Sequence, residues 1–286
     1  MKYAFIKGHR SRHALSLLCR TMEVSISGYY DWLGRPPSKT QSTNQRLLTK
    51  IRCFHKASYK RYGSPRIHRD LIASGEKVSR PRVARLMKTA GIQSKMAKRF
   101  VITTNSKNTK APAPDRLKRE FRVSETNKAW VADTTFIRTR QGWLYLATMM
   151  DLYSRQIIGW AMSKRNDTKL VTDALSMSVS RRGKIDNVIV HSDQGSTYAS
   201  GDYRKLIKDE GLLCSMSRKG ECHDNAVAES FFGTLKTELV DDEDYRTRDE
   251  AKQSLFHYIE VFYNRQRRHS YLGYVSPVEF ERATAP

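Results

Sequence analysis

Two β-rich runs, Trp130–Thr139 and Trp143–Leu152, are separated by only a few residues around Gln141-Gly142, and a third run, Gln156–Met162, follows almost at once. Connections this short join antiparallel neighbours, because a parallel pair needs a crossover of a dozen or more residues. The pattern then alternates. A helix is expected near Thr168–Ser180, a short apolar strand at Asn187–His191, a helix near Asp202–Glu210 and a strand at Leu212–Met216. A further helix runs from near Asp224 towards Leu239. A meander followed by strand–helix alternation predicts an α/β fold, with a mixed five-stranded sheet flanked by helices. A last helix, Arg248 to about Arg265, precedes a basic tail, so residues 126–245 are expected to be the α/β unit and 246–286 its C-terminal extension.

The N-terminal part reads differently. Residues 1–120 hold 28 Lys and Arg against 6 Asp and Glu, whereas the remaining 24 basic and 23 acidic residues nearly cancel. A basic half joined to a neutral half has the electrostatics of a polyanion-binding module beside a second function. A membrane surface would call for a basic amphipathic helix or a lipid anchor. Here the charges are spread over short helices, which favours DNA or RNA.

Within 1–38, two short helices around Leu15, Leu18, Met22 and then Ile26, Tyr29, Tyr30, Leu33 make either a small helix-turn-helix or a simple packing pair. Residues 39–93 make a stronger helix-turn-helix. A helix with Leu47, Leu48, Ile51 and Phe54 is followed by Ser64-Pro65 and Ser79-Pro81 starts and by Gly75 and Gly91 stops. The last helix turns Val83, Leu86 and Met87 inward and leaves Arg80, Arg82, Arg85 and Lys88 for DNA, a solvated basic face being the alternative. Residues 94–125, rich in Lys, Arg, Ser, Thr and Asn with Ala-Pro-Ala-Pro at 111–114, read as a basic linker.

No apolar run is long enough to span a bilayer, and charged and polar residues interrupt Ala14 to Cys19, so a cytoplasmic protein is expected. Cys19, Cys53, Cys214 and Cys222 contain no paired spacing, which argues against a disulfide framework. His9 and His13 lack a following cysteine pair, which argues against structural zinc.

Three acids stand on successive core elements of the α/β half. Asp133 is in the first strand between Val131 and Phe136, Asp193 follows Val188-Ile189-Val190, and Glu229 lies among Ala226, Val227, Ala228, Phe231 and Phe232. A carboxylate among apolar neighbours is costly unless it is paired, protonated or bound to metal. Three together suit phosphodiester chemistry, in which two Mg²⁺ ions about 3.5–4 Å apart are shared by carboxylates.

Thirty-five residues separate Asp193 from Glu229, and Lys236 follows two helical turns later on the same face, with Asn225 one turn before. This spacing resembles the DDE transposase and retroviral integrase superfamily. The strings Trp130–Phe136, Gly142–Ala147, Asp151–Arg155, His191–Tyr198, Ser215–Gly220, Asp224–Phe232 and Tyr263–Pro277 narrow the resemblance to OrfB-type insertion-sequence transposases, the IS-three family, over almost the whole chain. Gln194 and Thr197 stand where arginine and glutamine are more usual, and Thr134 where isoleucine is common.

The resemblance implies a ribonuclease-H-like integrase core that cuts and transfers DNA strands with Mg²⁺ or Mn²⁺, with two ions expected. Asp133, Asp193 and Glu229 would be the catalytic metal ligands, and Lys236 would sit on DNA near the reacting end. Asn225 and His191 are supporting residues, and Arg268 is a candidate phosphate contact, a solvated tail being equally compatible for it. Implied partners are the element's terminal repeats and target DNA, further copies of the chain, and an upstream-frame protein joined by frameshift. The competing readings are a nuclease that only hydrolyses and a DNA-binding regulator without catalysis.

Overall fold

The computed structural model describes residues 1–95, 113–218 and 225–285. Strands β1 (Ala129–Thr139), β2 (Gly142–Asp151) and β3 (Ile157–Ser163) form the expected antiparallel meander, and Gly142 opens β2 at φ +100°, where a side chain would be strained. Helix α7 (Thr168–Arg182) carries the chain back across the sheet. β4 (Ile189–Ser192) then pairs parallel to β1, and after α8 (Gly201–Asp209), β5 (Leu213–Met216) pairs parallel to β4. The sheet order is β3-β2-β1-β4-β5. β4 starts later than expected: Asn187 stands at φ +58°, and its N–H donates to the carbonyl of Gly211, just beyond α8.

Alternation along β1 feeds two cores. Ala129, Val131 and Ile137 join the cluster that includes Ala228, Leu235, Leu255 and Ile259, whereas Trp130 and Ala132 pack with Leu170, Ala174, Tyr203 and Ile207. The first cluster belongs to α9 (Ala226–Glu238) and α10 (Arg248–Phe256), the second to α7 and α8. β3 lies so close to α7 that a Cβ on Gly159 would overlap the Ala174 carbonyl.

The single helix expected from Arg248 to about Arg265 is instead α10 followed by a π-helical stretch, His257–Tyr263. Tyr258, Ile259, Phe262 and Tyr263 of this stretch are buried. The tail beyond is folded, not loose. α11 (Pro277–Thr284) opens on a capping box between Ser276 and Glu279, and Arg182 binds Glu281 at 2.6 Å and Asp151 at 3.4 Å.

In the N-terminal half, α1 (Lys2–His9), α2 (Leu15–Thr21) and α3 (Ile26–Gly34) enclose a small core of Ile6, Leu18, Cys19 and Tyr29. α1 was not expected from the sequence, whose apolar periodicity becomes readable only from Ala14. Next come α4 (Lys39–Ala57), α5 (Ser64–Ala73) and α6 (Arg80–Thr89), with a proline in the first turn of each of the last two. Gly63, one residue earlier than expected, occupies the N-cap of α5.

Glu76 ties this unit together. Arg46 holds its carboxylate with both guanidinium arms and Lys50 Nζ lies 2.7 Å away, and these bonds pull its pKa down to about 2. The stability contributed by ionised Glu76 is therefore present above its ordinary value near 4.5 and is lost as pH falls towards 2. Glu76→Gln is expected to lower the urea midpoint at pH 7, and the difference from wild type should close in titrations carried below pH 4.5. A gap unchanged at pH 3 would contradict this role.

The described end of the segment expected to be a basic linker, residues 113–125, makes defined contacts. Residues 96–112 lie outside the described set, but the stretch from 113 packs on the α/β unit. Leu117 is buried, Arg116 N donates to Ser215 Oγ at 2.9 Å, and the Phe121 carbonyl accepts from Arg155. Apolar Leu117, Phe121 and Val123 supply the anchoring that the basic composition obscures.

The two halves meet at the end of α9. Arg61 donates to the Glu238 carbonyl at 3.0 Å and lies over the rings of Tyr59, Tyr258 and Phe262. Arg66 pairs with the Glu238 carboxylate at 3.7 Å, and Tyr62 OH donates to the Gln266 carbonyl.

Candidate active site

β4 accompanies β1 only from Ala129 to Val131, after which β1 runs on beside β2 alone. The fork places two carboxylates. Asp133 lies two residues beyond the last β1–β4 pair, on the same strand face as Val131, and Asp193 follows the last residue of β4. Asn225 fastens the third element here, donating Nδ2 to the Ala132 carbonyl at 3.3 Å, on the strand edge that β4 has left. Glu229 lies one turn further, exposed on the first turn of α9. Asp133 Oδ1 accepts from Thr134 N at 2.7 Å, and Asp193 Oδ1 from Gly195 N at 2.9 Å. Thr134 Oγ1 and Tyr198 OH, 2.9 Å apart, close the floor between the two segments.

The electrostatics are those of a site short of positive charge. Burial and then the Asp193 charge push the Asp133 carboxyl up to about 8. Glu229 adds to this, while the Thr134 N–H and the Lys236 charge oppose it. Asp193 is raised by burial against the pull of the Gly195 N–H. Tyr198 is held well above the usual phenol range by its burial and by the Asp133 charge. Lys236 is partly buried two turns along α9 from Glu229, with Nζ 5.4 Å from the Phe136 ring centre.

Among the described residues, no three His, Cys, Asp or Glu side chains are already gathered as a metal cluster. The donors nonetheless fit a hard divalent cation. They are carboxylate oxygens that repel one another, and the buried Asn225 Oδ1 meets no hydrogen-bond donor among the described residues.

The other candidates sort by burial. His191 is buried, with Nδ1 2.9 Å from Ser215 Oγ and 3.9 Å from Asp115, so it bridges β4, β5 and the segment leading into β1. Arg80, Arg85 and Lys88 are exposed on α6, whereas Arg82 is partly buried and gives two hydrogen bonds to Asn44 Oδ1. Arg268 binds Asp70 Oδ1 at 2.6 Å and the Tyr274 carbonyl at 2.9 Å, so its guanidinium joins the tail to α5. Cys222, His223 and Asp224 lie outside the described residues. Sequence reasoning missed the Thr134–Tyr198 contact and the cluster around Glu238. Only the unusual placing of a threonine after Asp133 hinted at the former, and nothing local marks the latter.

The family models for the integrase core domain match residues 123–222 and 229–284, and one for an HTH-like domain matches residues 42–100. The chain is 42% identical to an uncharacterised 31 kDa protein of insertion element IS600 from Shigella sonnei, over 92% of this chain and 97% of that one. It is 39% identical to transposase InsF of insertion sequence IS3A from Escherichia coli K12, over 98% of both chains. Among solved structures, the intasome of simian T-cell lymphotropic virus in complex with a PP2A regulatory subunit is similar with a TM-score of 0.48. The identity is 13%, over 82% of this chain and 75% of that one, a likeness that carries no functional weight.

Proposed function

The chain belongs to the insertion-sequence transposases that carry an integrase core, and we propose that it cuts and joins DNA with Asp133, Asp193 and Glu229 as its catalytic carboxylates. The observation that carries the assignment is the β1–β4 fork, with Asp133 just past the last β1–β4 pair, Asp193 just past β4, and the start of α9 with Glu229 tied to the Ala132 carbonyl through Asn225. Burial and then the Asp193 charge raise the Asp133 carboxyl. Those three side chains would hold divalent cations, Mg²⁺ or Mn²⁺ and two in number. When bound, such ions activate the attacking oxygen and stabilise the leaving one.

The reaction has two displacements at phosphorus. Water attacks the phosphodiester at an element end, the P–O bond to the 3′ oxygen breaks, and that oxygen leaves as a free 3′-OH. The 3′-OH then attacks a second phosphodiester in line, forming a new P–O bond as another 3′ oxygen departs. Thr134 N–H and Gly195 N–H fix the rotamers of the two aspartates. Lys236 meets a phosphate near the reacting end. Exposed Arg80, Arg85 and Lys88 supply phosphate and groove contacts from α6, Arg82 shaping that helix against α4. Copies of the chain assemble on DNA, together with an upstream-frame protein.

The decisive assay incubates the purified full chain and Mg²⁺ with duplexes ending in the sequences that flank its gene, and resolves the products on a denaturing gel. Joined strands are expected. Cut ends without joining would make the protein a hydrolytic nuclease. Binding without cutting would make it a regulator.

A further inference from the structure

Two large aromatic side chains on the β1–β2 hairpin, three and ten residues beyond Asp133, stay open to solvent. Phe136 is 39% exposed and Trp143 47%, although their rings pack edge to face with centres 5.0 Å apart. The β1–β2 register explains the pairing. Arg138 lies opposite Trp143 and Phe136 opposite Tyr145, so these four side chains share one face of the hairpin. Rings that could be buried but are left wet, and contiguous, mark a surface that something covers.

The neighbours say what. Lys236 links the ring pair to the acids, since its ammonium sits 5.4 Å from the Phe136 ring centre while its charge reaches Asp133. Trp143 is held from behind by Arg248, which donates to its carbonyl at 3.0 Å. It also lines an open cavity of about 730 Å³ with Arg138, Arg140 and Asp244. Glu243 lines it too. Asp244 is held by Arg140, and that pairing keeps its carboxyl below the usual range, while Arg138, Arg248 and Lys236 leave the surroundings of the rings positive. An aromatic surface with a basic rim, one side chain away from the reacting centre, complements a π-faced anion strand better than an apolar protein face.

We propose that Phe136 and Trp143 form a stacking platform for an unpaired nucleobase next to the reacting phosphodiester. This rests on the reading of the three acids as a DNA-joining site. A base lifted out of the duplex end costs a few kcal/mol in lost stacking and pairing, and the rings return stacking while Lys236 meets the adjoining phosphate. The duplex end is thereby opened and its backbone held beside Asp133.

The test uses the full chain and two short duplexes, one blunt and one ending in a single-stranded overhang that carries 2-aminopurine. With intact rings, binding should quench the 2-aminopurine. With Phe136→Ala/Trp143→Ala the base should stay bright even when anisotropy reports saturation. Affinity for the overhang duplex should fall roughly 5- to 150-fold, with a smaller loss for the blunt duplex, whose end base must first be unpaired. Phe136→Tyr/Trp143→Phe should retain the quench. Both positions are exposed, so circular dichroism melts should match wild type.

Equal quenching by the alanine variant, or an equal loss on both duplexes, would overturn the platform. So would an intact quench with an altered oligomeric mass by light scattering, which would make the rings a protein contact. If wild type joins strands but never quenches the base, the platform fails and the DNA-joining reading stands. If wild type binds neither duplex, both fail.

Discussion

Asp133→Asn is expected to abolish strand cleavage and transfer, by about a thousandfold or more, while the protein remains folded. The asparagine keeps an Oδ1 to accept from Thr134 N, so the side chain keeps its rotamer. What it loses is the charge that would grip a cation, and such grips contribute several kcal/mol to the transition state. The same logic covers Asp193→Asn, whose Oδ1 still accepts from Gly195 N, and Glu229→Gln on the exposed start of α9. Stability should move the other way. Burial and the charges of Asp193 and Glu229 oppose ionisation of Asp133, so an uncharged amide in its place should hold or raise the melting temperature in metal-free buffer near neutral pH. A gel time course beside a thermal melt decides the matter. Undiminished transfer by any of the three folded variants would remove that residue from the site.

The same acids show why so much could be read without coordinates. β-Branched and aromatic runs with two-residue periodicity announce strands wherever one face is buried, and the short connection at Gln141-Gly142 leaves little choice of direction. Asp133 stood out because a charge inside such a run needs a reason. The strand ends were less readable: Asn187 takes a left-handed backbone before β4, and its N–H is met by Gly211, far along the chain. Long-range partners were not readable at all. Arg268 looked like any basic tail residue, and only the packing of the tail against α5 gives it Asp70. Phe136 stood in the sequence only as an apolar neighbour of Asp133, and only the fold shows that its ring is exposed. Periodicity reports which face is apolar, not what lies opposite it.

Glu238 is the strongest case of that kind, and the second large effect is expected there. At the C-terminal end of the helix that carries Glu229 and Lys236, its buried carboxylate accepts from Arg267 Nε and Nη2 at 2.8–3.0 Å and from Tyr258 OH at 2.8 Å, with Arg66 of α5 at 3.7 Å. Burial alone would lower the Arg267 pKa, but the Glu238 charge and hydrogen bonds outweigh it and raise it. Glu238→Ala leaves Arg267 charged, buried and unmatched, a fault that costs about 3–5 kcal/mol and roughly 6–20 °C in melting temperature. Because Arg61 and Arg66 reach the same helix end from the N-terminal half, limited proteolysis should also show the two halves parting sooner. Replacing the pair together, Glu238→Leu with Arg267→Met, should recover most of the loss, since apolar substitutes for a whole buried pair are commonly neutral or better. A double variant as unstable as Glu238→Ala would mean that Tyr258 and Arg66, not Arg267, are what Glu238 is there to hold.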